Sequence, residues 1–570
     1  MPFERRWYRK KRYWAPAAVL MAAGGLVLWY AIDTFVPAPL IDDTSPLRYH
    51  VTEPDRGFYS CNGSWLQHST SGLWEMYVQG GAFERGVVNG KLTYPLIGIQ
   101  EEAFVTQIRK MVPSPSYLRF LKYFIYWFNR DLEEYITDEY KQEIYGISLY
   151  ASDRFDMIGG SYRRMMNYHS AHDIGHALED LALVGCTSFG AWDSQTADSA
   201  LIIGRNFDFY MGDEFAKNKI VCFERPDSGY AFMMITWPGM IGTVSGMNMR
   251  GLTVTINAAK SAIPCSARTP ISLVAREILQ YAASIREAYE IACKRETFVS
   301  ESILIGSATD RKAAVIEKTP IKPALVLPQK DRIICANHYQ GDEYGNTPMN
   351  LQNIRESSSI YRFRRMEQLI GIFAPLDIQK TAAILRDRDG WNGDGIGMGN
   401  EKAINQLIAH HSVIFLPEKR LAWVSSGPWQ EGSYICYDLN KIFNNFASLQ
   451  QRAEIGEAVL DIPPDPFLGT TGYLKFLRYK EMRDSVRHIL GQKDTAVLPG
   501  SFLDEFTLLN PEFYEGYRIA GDLSERYGDH ATALRYYAKA LKCEIPTLAE
   551  REEIIRKMSR CIVEMKRDNG

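Results

Sequence analysis

The sequence predicts an α+β fold, with strands in the middle of the chain and helices on either side. An uncharged run lies near the start, at Tyr13–Ile32, and has the length of a single helix. From Ser116 to Asp153, aromatic and aliphatic residues recur at the three- and four-residue spacing of a helix. Beyond residue 186, short apolar runs alternate with turn residues, as antiparallel strands do.

Composition excludes few classes of protein but indicates a large folded core. The chain has 570 residues and a net charge of -3, so nothing in its charge suggests a nucleic-acid partner. Hydrophobic residues make up 46% of it, which is ample for a large core. Its nine cysteines are scattered without a Cys-x-x-Cys pair, which argues against a structural zinc site and a disulfide scaffold. One or two disulfides remain compatible with this pattern.

The first element is the uncharged run Tyr13–Ile32, which follows a cluster of basic residues and ends at Asp33. About twenty such residues span a bilayer, and a basic flank stays in the cytoplasm. We therefore expect residues 1–36 to be a single-pass signal anchor in a bacterial inner membrane, with the catalytic part periplasmic. The alternative is a cleaved signal peptide, which would leave the protein secreted.

Three histidines lie just before the centre of the chain, at His169, His172 and His176. The last two are four residues apart, which is the spacing of a two-histidine metal site on a helix. However, Asp173 stands where a metalloprotease carries glutamate, Gly175 weakens the helix, and no third ligand is marked. We therefore expect neither a metal nor a cofactor.

The stretch 184–210 contains the candidate nucleophile, Cys186. The apolar run Ser199–Gly204 is bounded by turn formers and predicts a buried strand. A return from a first strand into this one would bring Arg205 and Asp208 beside Cys186. A neighbouring positive charge lowers the pKa of a thiol and favours the reactive thiolate. The alternative is an inert core cysteine.

The same stretch carries two motifs of a known group, Cys-Thr-Ser from Cys186 and Gly-Arg-Asn-x-Asp-Phe from Gly204. They resemble the start of the mature chain in cysteine N-terminal-nucleophile (Ntn) hydrolases. That group includes choloylglycine hydrolase, penicillin V acylase, acyl-coenzyme A:6-aminopenicillanic acid acyltransferase and acid ceramidase. The resemblance implies autoproteolysis between Gly185 and Cys186, after which the freed amine acts as general base. An α-amine suits that task because its pKa is about 7.7–8.0.

Two later elements resemble the oxyanion-binding elements of this group. The segment from Gly246 to Asn257 is similar to a family strand whose last residue donates a backbone N–H, which implies this role for Asn257, with Ala258 as the alternative. After the hairpin Ser302–Glu317 and the strand from Ile333, Asn337 matches the asparagine whose side chain is the second donor. Losing one such donor typically costs about 10²–10³ in rate.

A supporting arginine is implied by the segment from Ser358 to Phe363, which resembles the start of a family helix. We assign it to Arg362, with Arg364 and Arg365 as competitors. The family hairpin that closes the domain matches the chain from His411 to Val424, where His410 and His411 are expected to be structural.

The resemblance extends from about residue 135 to 440 and implies the four-layer αββα Ntn-hydrolase sandwich. Residues 37–185 are then the pro-segment, largely helical, and 186–440 the catalytic domain. Residues 441–570 are expected to be a helical C-terminal domain, because Pro511–Pro546 resembles one tetratricopeptide repeat (TPR). A single repeat cannot bury its faces alone, so we expect this TPR-like region to pack on the catalytic unit or to dock a protein partner.

The predicted function is hydrolysis of a linear amide in a small-molecule N-acyl substrate. Cys186 attacks the carbonyl, Arg205 and Asp208 position it, and Asn257 and Asn337 hold the oxyanion. Two alternatives remain: an acyltransferase that passes the acyl group to an amine, and a membrane-anchored scaffold that acts through its C-terminal tail.

Overall fold

Two β-sheets form the centre of the computed structural model. It describes residues 34–570 apart from 113, 171–184, 261–266, 329, 445–452, 492–497, 499 and 569–570, and before residue 34 only 21, 24–26 and 28–30. The larger sheet has eleven strands, in the order β1 (Thr52–Asp55), β2 (Phe58–Cys61), β3 (Ser64–His68), β4 (Trp74–Gly80), β7 (Ile220–Pro226), β8 (Phe232–Thr236), β9 (Ser245–Asn248), β10 (Leu252–Ala258), β11 (Glu301–Ser307), β12 (Lys312–Lys318) and β13 (Pro323–Val326). The smaller sheet has six, in the order β14 (Arg332–Cys335), β5 (Thr187–Ala191), β6 (Ile202–Phe207), β15 (His411–Leu416), β16 (Leu421–Ser425) and β17 (Tyr434–Asp438).

Neighbouring strands are antiparallel in both sheets, except that β4 and β7 pair in parallel, from Trp74 beside Ile220 to Gly80 beside Pro226. This pair joins residues 37–185 to the rest of the chain in one sheet. That segment was expected to be largely helical, and it does contain helices, but it also supplies β1 to β4. Its strands are short and separated by tight turns such as Asn62-Gly63, which a search for helical period passes over.

Helices cover the outer faces of the sheets and form the C-terminal region. Those in the first part of the chain are α1 (Ala82–Met111), α2 (Pro115–Phe128), α3 (Asp138–Ser148), α4 (Ser161–His169), α5 (Asp213–Lys217), α6 (Ile271–Tyr281) and α7 (Ile285–Lys294). The later ones are α8 (Pro348–Glu356), α9 (Ser359–Phe373), α10 (Ile378–Leu385), α11 (Leu439–Asn444), α12 (Thr471–Gly491), α13 (Gly500–Leu508), α14 (Tyr514–Arg526), α15 (His530–Ala540) and α16 (Leu548–Asp568). The chain from Ile271 to Lys294 forms two helices, α6 and α7, and Ser284 begins α7 by accepting a hydrogen bond from the backbone N–H of Glu287.

Strand residues alternate between different apolar clusters, so both faces of each sheet are buried. In β7, Ile220 packs with the helices α1, α3 and α6, whereas Val221 belongs to the cluster shared by the two sheets. In β15, Val413 faces that shared cluster and Ile414 packs against α9 and α10. The chain is therefore a mixed α/β fold in which the two sheets share an apolar interface, and this interface borders the candidate site.

The C-terminal helical region is present as predicted. Its paired helices α14 and α15 approach closely because residue 521 is glycine: a Cβ there would lie 2.5 Å from the ring of Tyr537. Leu407 of the central region belongs to the C-terminal cluster, and Asn510 Nδ2 donates to Met398 O at 2.8 Å. The region therefore packs on the segment before β15.

The predicted membrane anchor, and with it the inner-membrane location, is contradicted. Among the residues that the structure describes, no helix is both long enough and apolar enough to cross a bilayer. Most of Tyr13–Ile32 lies outside the described residues. The prediction used only the length of the uncharged run and its basic flank. These two features are not sufficient to identify a membrane-spanning helix.

Candidate active site

Cys186 lies immediately before β5, at one end of the smaller sheet. Strands β5 and β6 are antiparallel, with Ser188 opposite Arg205. Side chains alternate along a strand, so Cys186, Ser188 and Arg205 lie on the same face of the sheet. Arg205 Nη2 is 3.6 Å from Cys186 Sγ. The predicted return of the chain therefore places the guanidinium beside the thiol.

Arg205 is fixed in place by the neighbouring sheet. It is fully buried, and its Nη1 donates to Val244 O at 2.9 Å. It also donates to the hydroxyl of Ser245 and the carbonyl of Ile256. These acceptors belong to the larger sheet or adjoin it, so the guanidinium spans the gap between the sheets. Its direction toward Cys186 is thereby set by backbone groups rather than by a flexible carboxylate.

In the uncleaved chain, Cys186 carries a protonated thiol. The residue is fully buried, and burial raises the pKa of the thiol to about 11, although Arg205 acts in the opposite direction. Because the thiolate is the nucleophilic form, attack requires a group that accepts the proton.

Asp208 lies at the end of β6, fully buried, and its backbone carbonyl accepts a hydrogen bond from Gly185 N at 3.0 Å. Burial raises the pKa of its carboxyl to about 7, while Arg362 and Arg205 oppose the shift. Among the described residues, Asp208 Oδ1 has no hydrogen-bond partner. A carboxyl that titrates near neutrality can accept and return a proton, and the charge of Asp208 acts on the Cys186 thiol.

The two predicted oxyanion asparagines meet at the edge where β10 and β14 end. Asn337 Nδ2 donates to Ala258 O at 2.9 Å. The side chain of Asn257 connects the sheets, because it accepts from Ser188 Oγ at 3.2 Å and donates to Cys335 O at 3.0 Å. The structure therefore brings the end of β10, the alternative Ala258 included, next to Asn337 and the strand that follows Cys186.

Arg362, in the first turn of α9, connects these groups. Its Nη1 donates to Cys186 O at 2.7 Å and its Nη2 to Asn337 Oδ1 at 2.7 Å. Of its two competitors, Arg364 is exposed, and Arg365 forms a bidentate pair with Asp387 at 2.7 and 2.9 Å. Arg362 is thus the one of the three that contacts Cys186.

Gln406 was not predicted, yet it contacts the Gly185–Cys186 pair directly. Its Nε2 donates to Gly185 O at 2.8 Å and lies 3.4 Å from Asp208 Oδ2. It lies 221 residues from Gly185 in sequence, in a loop before β15. The polar pair Asn405-Gln406 inside an apolar stretch is the only signal that marks it in the sequence.

The histidines fill structural positions where they are described. His169 is buried, with Nδ1 2.7 Å from Met165 O and Nε2 accepting from Ile241 N at 3.0 Å. His411 Nε2 lies 2.8 Å from Ser245 Oγ, which also contacts Arg205, and His410 lies beside it. His172 and His176 lie outside the described residues.

A small, mostly apolar cavity of about 40 Å³ is lined in part by Phe209, the residue after Asp208. The residues that line it include Phe209, Phe215 and Trp237 from the central region and Phe104 and Met165 from the preceding segment. Apolar side chains from both sides of the Gly185–Cys186 bond therefore line one cavity.

Comparison with known proteins confirms the resemblance found in the sequence. Residues 194–427 match the family model described as acyl-coenzyme A:6-aminopenicillanic acid acyl-transferase. The match includes Arg205, Asp208, Asn257, Asn337 and Arg362, and it begins after Cys186. The family supports an enzyme of the acyltransferase or amidase kind.

Two curated proteins are similar over part of the chain. An uncharacterized protein of Archaeoglobus fulgidus is 23% identical over 354 residues, which cover 55% of this chain and 58% of the relative. An N-acylethanolamine-hydrolyzing acid amidase of Caenorhabditis elegans is 25% identical over 253 residues, which cover 42% and 65%. The chain thus spans about three fifths of the length of the curated relatives it matches.

Similar solved structures include the Caenorhabditis elegans ortholog of N-acylethanolamine-hydrolyzing acid amidase, at 16% identity and a TM-score of 0.30, covering 41% of this chain and 93% of that one. A mutant of conjugated bile acid hydrolase from Clostridium perfringens gives 16% identity and a TM-score of 0.31, covering 45% and 93%.

Proposed function

We propose that this chain, which contains a domain of the acyl-coenzyme A:6-aminopenicillanic acid acyltransferase family, is an amidohydrolase with an N-terminal cysteine nucleophile. The observation that carries the proposal is the contact of Cys186 with two buried arginines. Arg205 lies beside its thiol, and Arg362 donates to its carbonyl oxygen and to Asn337. This arrangement provides a thiol, cations that favour its ionised form, and an amide donor beside it.

The proposed reaction begins with self-cleavage between Gly185 and Cys186, which exposes the α-amine of Cys186. The amine then takes the thiol proton, and Sγ attacks the carbonyl carbon of the substrate amide. The oxygen gains negative charge, which the backbone N–H of Asn257 or Ala258 and Asn337 Nδ2 stabilise. The proton passes to the leaving amine, and water releases the acyl group from sulfur.

The fold supports this assignment. Apolar clusters lie between the larger sheet and its helices, between the two sheets, and between the smaller sheet and α9 and α10. That order corresponds to the αββα sandwich implied by the sequence motifs. We also propose that residues 37–185 are the pro-segment and that residues 186–440 are the catalytic domain. Residues 441–570 are then a helical domain that packs on the catalytic domain.

The substrate is proposed to be a small N-acyl amide with an apolar acyl group. The aromatic side chains of Phe209, Phe215 and Trp237, which follow Asp208 or pack near Phe209, support an apolar acyl group. The similarity to an N-acylethanolamine-hydrolyzing acid amidase supports a linear amide rather than a cyclic one. Transfer of the acyl group to an amine is the second candidate, favoured by the description of the matching family.

A product assay with a panel of N-acyl amides tests the proposal. We expect the wild type to release fatty acid and amine, and Cys186→Ala to release neither. An added amine acceptor distinguishes the two candidates, because a transferase forms a new amide in preference to the acid. Equal amide turnover by the wild type and Cys186→Ala would contradict the proposal.

A further inference from the structure

We infer that Gln406 is the oxyanion donor for self-cleavage and is separate from the donors that serve the substrate. The inference rests on the proposed function, since it assigns a residue to the processing step of the same site. Gln406 Nε2 donates to the carbonyl oxygen of Gly185 at 2.8 Å. That oxygen belongs to the peptide bond that self-cleavage breaks.

The chemistry of the step requires a donor at this oxygen. Cys186 Sγ attacks the carbonyl carbon of Gly185, a C–S bond forms, and negative charge develops on Gly185 O. The C–N bond to Cys186 then breaks, and the thiol proton passes to the Cys186 nitrogen, which becomes the free amine. Water hydrolyses the thioester and yields the Gly185 carboxylate, one proton and the free thiol. An amide N–H already directed at the oxygen stabilises the charge without reorganisation.

Asn337, the side-chain donor proposed for the substrate, contacts other groups in the uncleaved chain. Asn337 Nδ2 donates to Ala258 O rather than to Gly185 O, and its own amide oxygen accepts from Arg362. Instead, Gly185 N donates to Asp208 O, and Gly185 O accepts from Gln406 Nε2. The scissile peptide therefore has its own donor.

A side chain at position 185 would displace the amide group of Gln406. A Cβ on residue 185 would lie 2.5 Å from Gln406 Nε2 and 2.9 Å from its Oε1. A glycine immediately before the cysteine thus permits the close approach. This gives a steric reason for the residue type at position 185 that does not depend on the sequence motif.

The loop that carries Gln406 is constrained on both sides. Asn405 Nδ2 donates to the buried carboxylate of Glu431 at 2.6 Å. Leu407 has a φ of 54°, in the left-handed region that a leucine rarely adopts, and packs into the C-terminal cluster. Such a conformation persists only where its surroundings enforce it. The C-terminal region therefore helps to hold the amide of Gln406 on Gly185 O.

Processing of the full chain tests the inference. Gln406→Met keeps the shape of the side chain and removes the N–H donor. The matched control is Gln430→Met, because Gln430 is also fully buried and contacts none of Gly185, Cys186 or Asp208. The chains are made by cell-free translation, and cleavage is followed over time by gel and intact mass.

We expect Gln406→Met to cleave roughly 10²-fold more slowly than the wild type, and Gln430→Met to cleave at the wild-type rate. In the molecules of Gln406→Met that do cleave, amide hydrolysis should be slowed far less than cleavage, whereas a general folding defect would slow both. Cleavage of Gln406→Met at the wild-type rate would overturn the inference alone. An uncleaved wild type would instead overturn the proposed function, and this inference with it.

A second variant decides the matter if Gln406→Met does not fold. In Gln406→Glu, a protonated carboxyl can donate to Gly185 O and a carboxylate cannot. Asp208 faces this position directly, Arg362 and Arg205 act on Asp208, and Cys186 lies beyond Gly185. We expect the ratio of its cleavage rate to the wild-type rate at the same pH to increase as the pH falls. A ratio that does not change with pH would contradict the assigned role.

Discussion

Arg362 donates to the carbonyl oxygen of Cys186 at 2.7 Å and to the amide oxygen of Asn337 at 2.7 Å. One planar guanidinium therefore sets the distance between the candidate nucleophile and the candidate oxyanion donor. Because its carbonyl partner is on the backbone, this contact is independent of the ionisation of the thiol. The planar fork of arginine makes these contacts at fixed angles, which a lysine ammonium cannot reproduce.

Arg362→Lys should therefore lower kcat for amide hydrolysis by about 10²-fold, the effect typical of a misplaced catalytic group. Arg364→Lys is the control, since Arg364 lies on the same helix and is exposed. Steady-state kinetics on processed enzyme measure both. A wild-type kcat in Arg362→Lys would show that Arg362 does not position the site.

Asn337→Leu tests the donor that serves the substrate. The substitution keeps the approximate size of the side chain and removes Nδ2, so kcat should fall by about 10²–10³. Self-cleavage should continue, because Gly185 O is held by Gln406. This is the opposite of the pattern expected for Gln406→Met. If Asn337→Leu blocked processing and Gln406→Met blocked only turnover, the two donor assignments would have to be exchanged.

The pH dependence of processing should follow Asp208. Burial raises the pKa of its carboxyl to about 7 and that of the Cys186 thiol to about 11, so near neutrality the carboxylate is the group able to accept the thiol proton. Cleavage should accelerate as the pH rises through about 7, and Asp208→Asn should abolish this rise. A profile that is flat in the wild type would exclude Asp208 as the acceptor.

The same pKa shift affects stability in a defined direction. The folded-state pKa of Asp208 lies above the unfolded value of about 3.9. Its contribution to the free energy of unfolding is therefore fully present below about pH 3.9 and is lost as the pH rises through about 7. Denaturant titrations of Cys186→Ala and of the double variant Cys186→Ala/Asp208→Asn measure this contribution of Asp208 to the free energy of unfolding. Neither variant is expected to cleave, so cleavage does not interfere.

The two fragments produced by cleavage should remain associated. Arg85 of α1 contacts Glu143 of α3 at 2.7 Å and Glu224 of β7 at 2.8 Å, and Arg276 of α6 lies 3.5 Å from Glu143. These groups are buried, and β4 pairs with β7 along the same boundary. We expect both fragments to co-elute in gel filtration without denaturant.

Arg85→Met measures the strength of that association. It removes one of the two buried cations that face Glu143 and Glu224, while Arg276 stays in place. Removal of one partner from a buried ion pair costs roughly 3–5 kcal/mol. The control is Arg286→Met, which removes an exposed pair with Glu290 and should cost at most about 0.5 kcal/mol. Equal unfolding midpoints for the two variants would show that the buried pairs do not stabilise the interface.

Local sequence pattern was sufficient to predict how the segment around Cys186 folds. The apolar run Ser199–Gly204 predicted a strand, and the observed strand β6 begins and ends three residues later, at Ile202–Phe207, with Arg205 opposite Ser188. The resemblance of the chain from His411 to Val424 to a family hairpin likewise predicted the antiparallel pair of β15 and β16. These features depend on residues that are close in sequence or directly paired.

Long-range contacts could not be predicted in this way. Gln406 meets Gly185 across 221 residues, and its role depends on a left-handed residue in the next position. The parallel pairing of β4 with β7 similarly depends on a register that no local motif specifies. The membrane prediction was wrong for the opposite reason, because it relied on one local run without any tertiary constraint.

The most direct test of the central claim is intact mass with N-terminal sequencing of the purified full chain, beside Cys186→Ala. We predict a wild-type fragment whose first residue is Cys186, together with the preceding fragment, and a single uncleaved chain for Cys186→Ala. A wild-type chain that stays intact, or that is cleaved at a different bond, would contradict an N-terminal cysteine nucleophile at position 186.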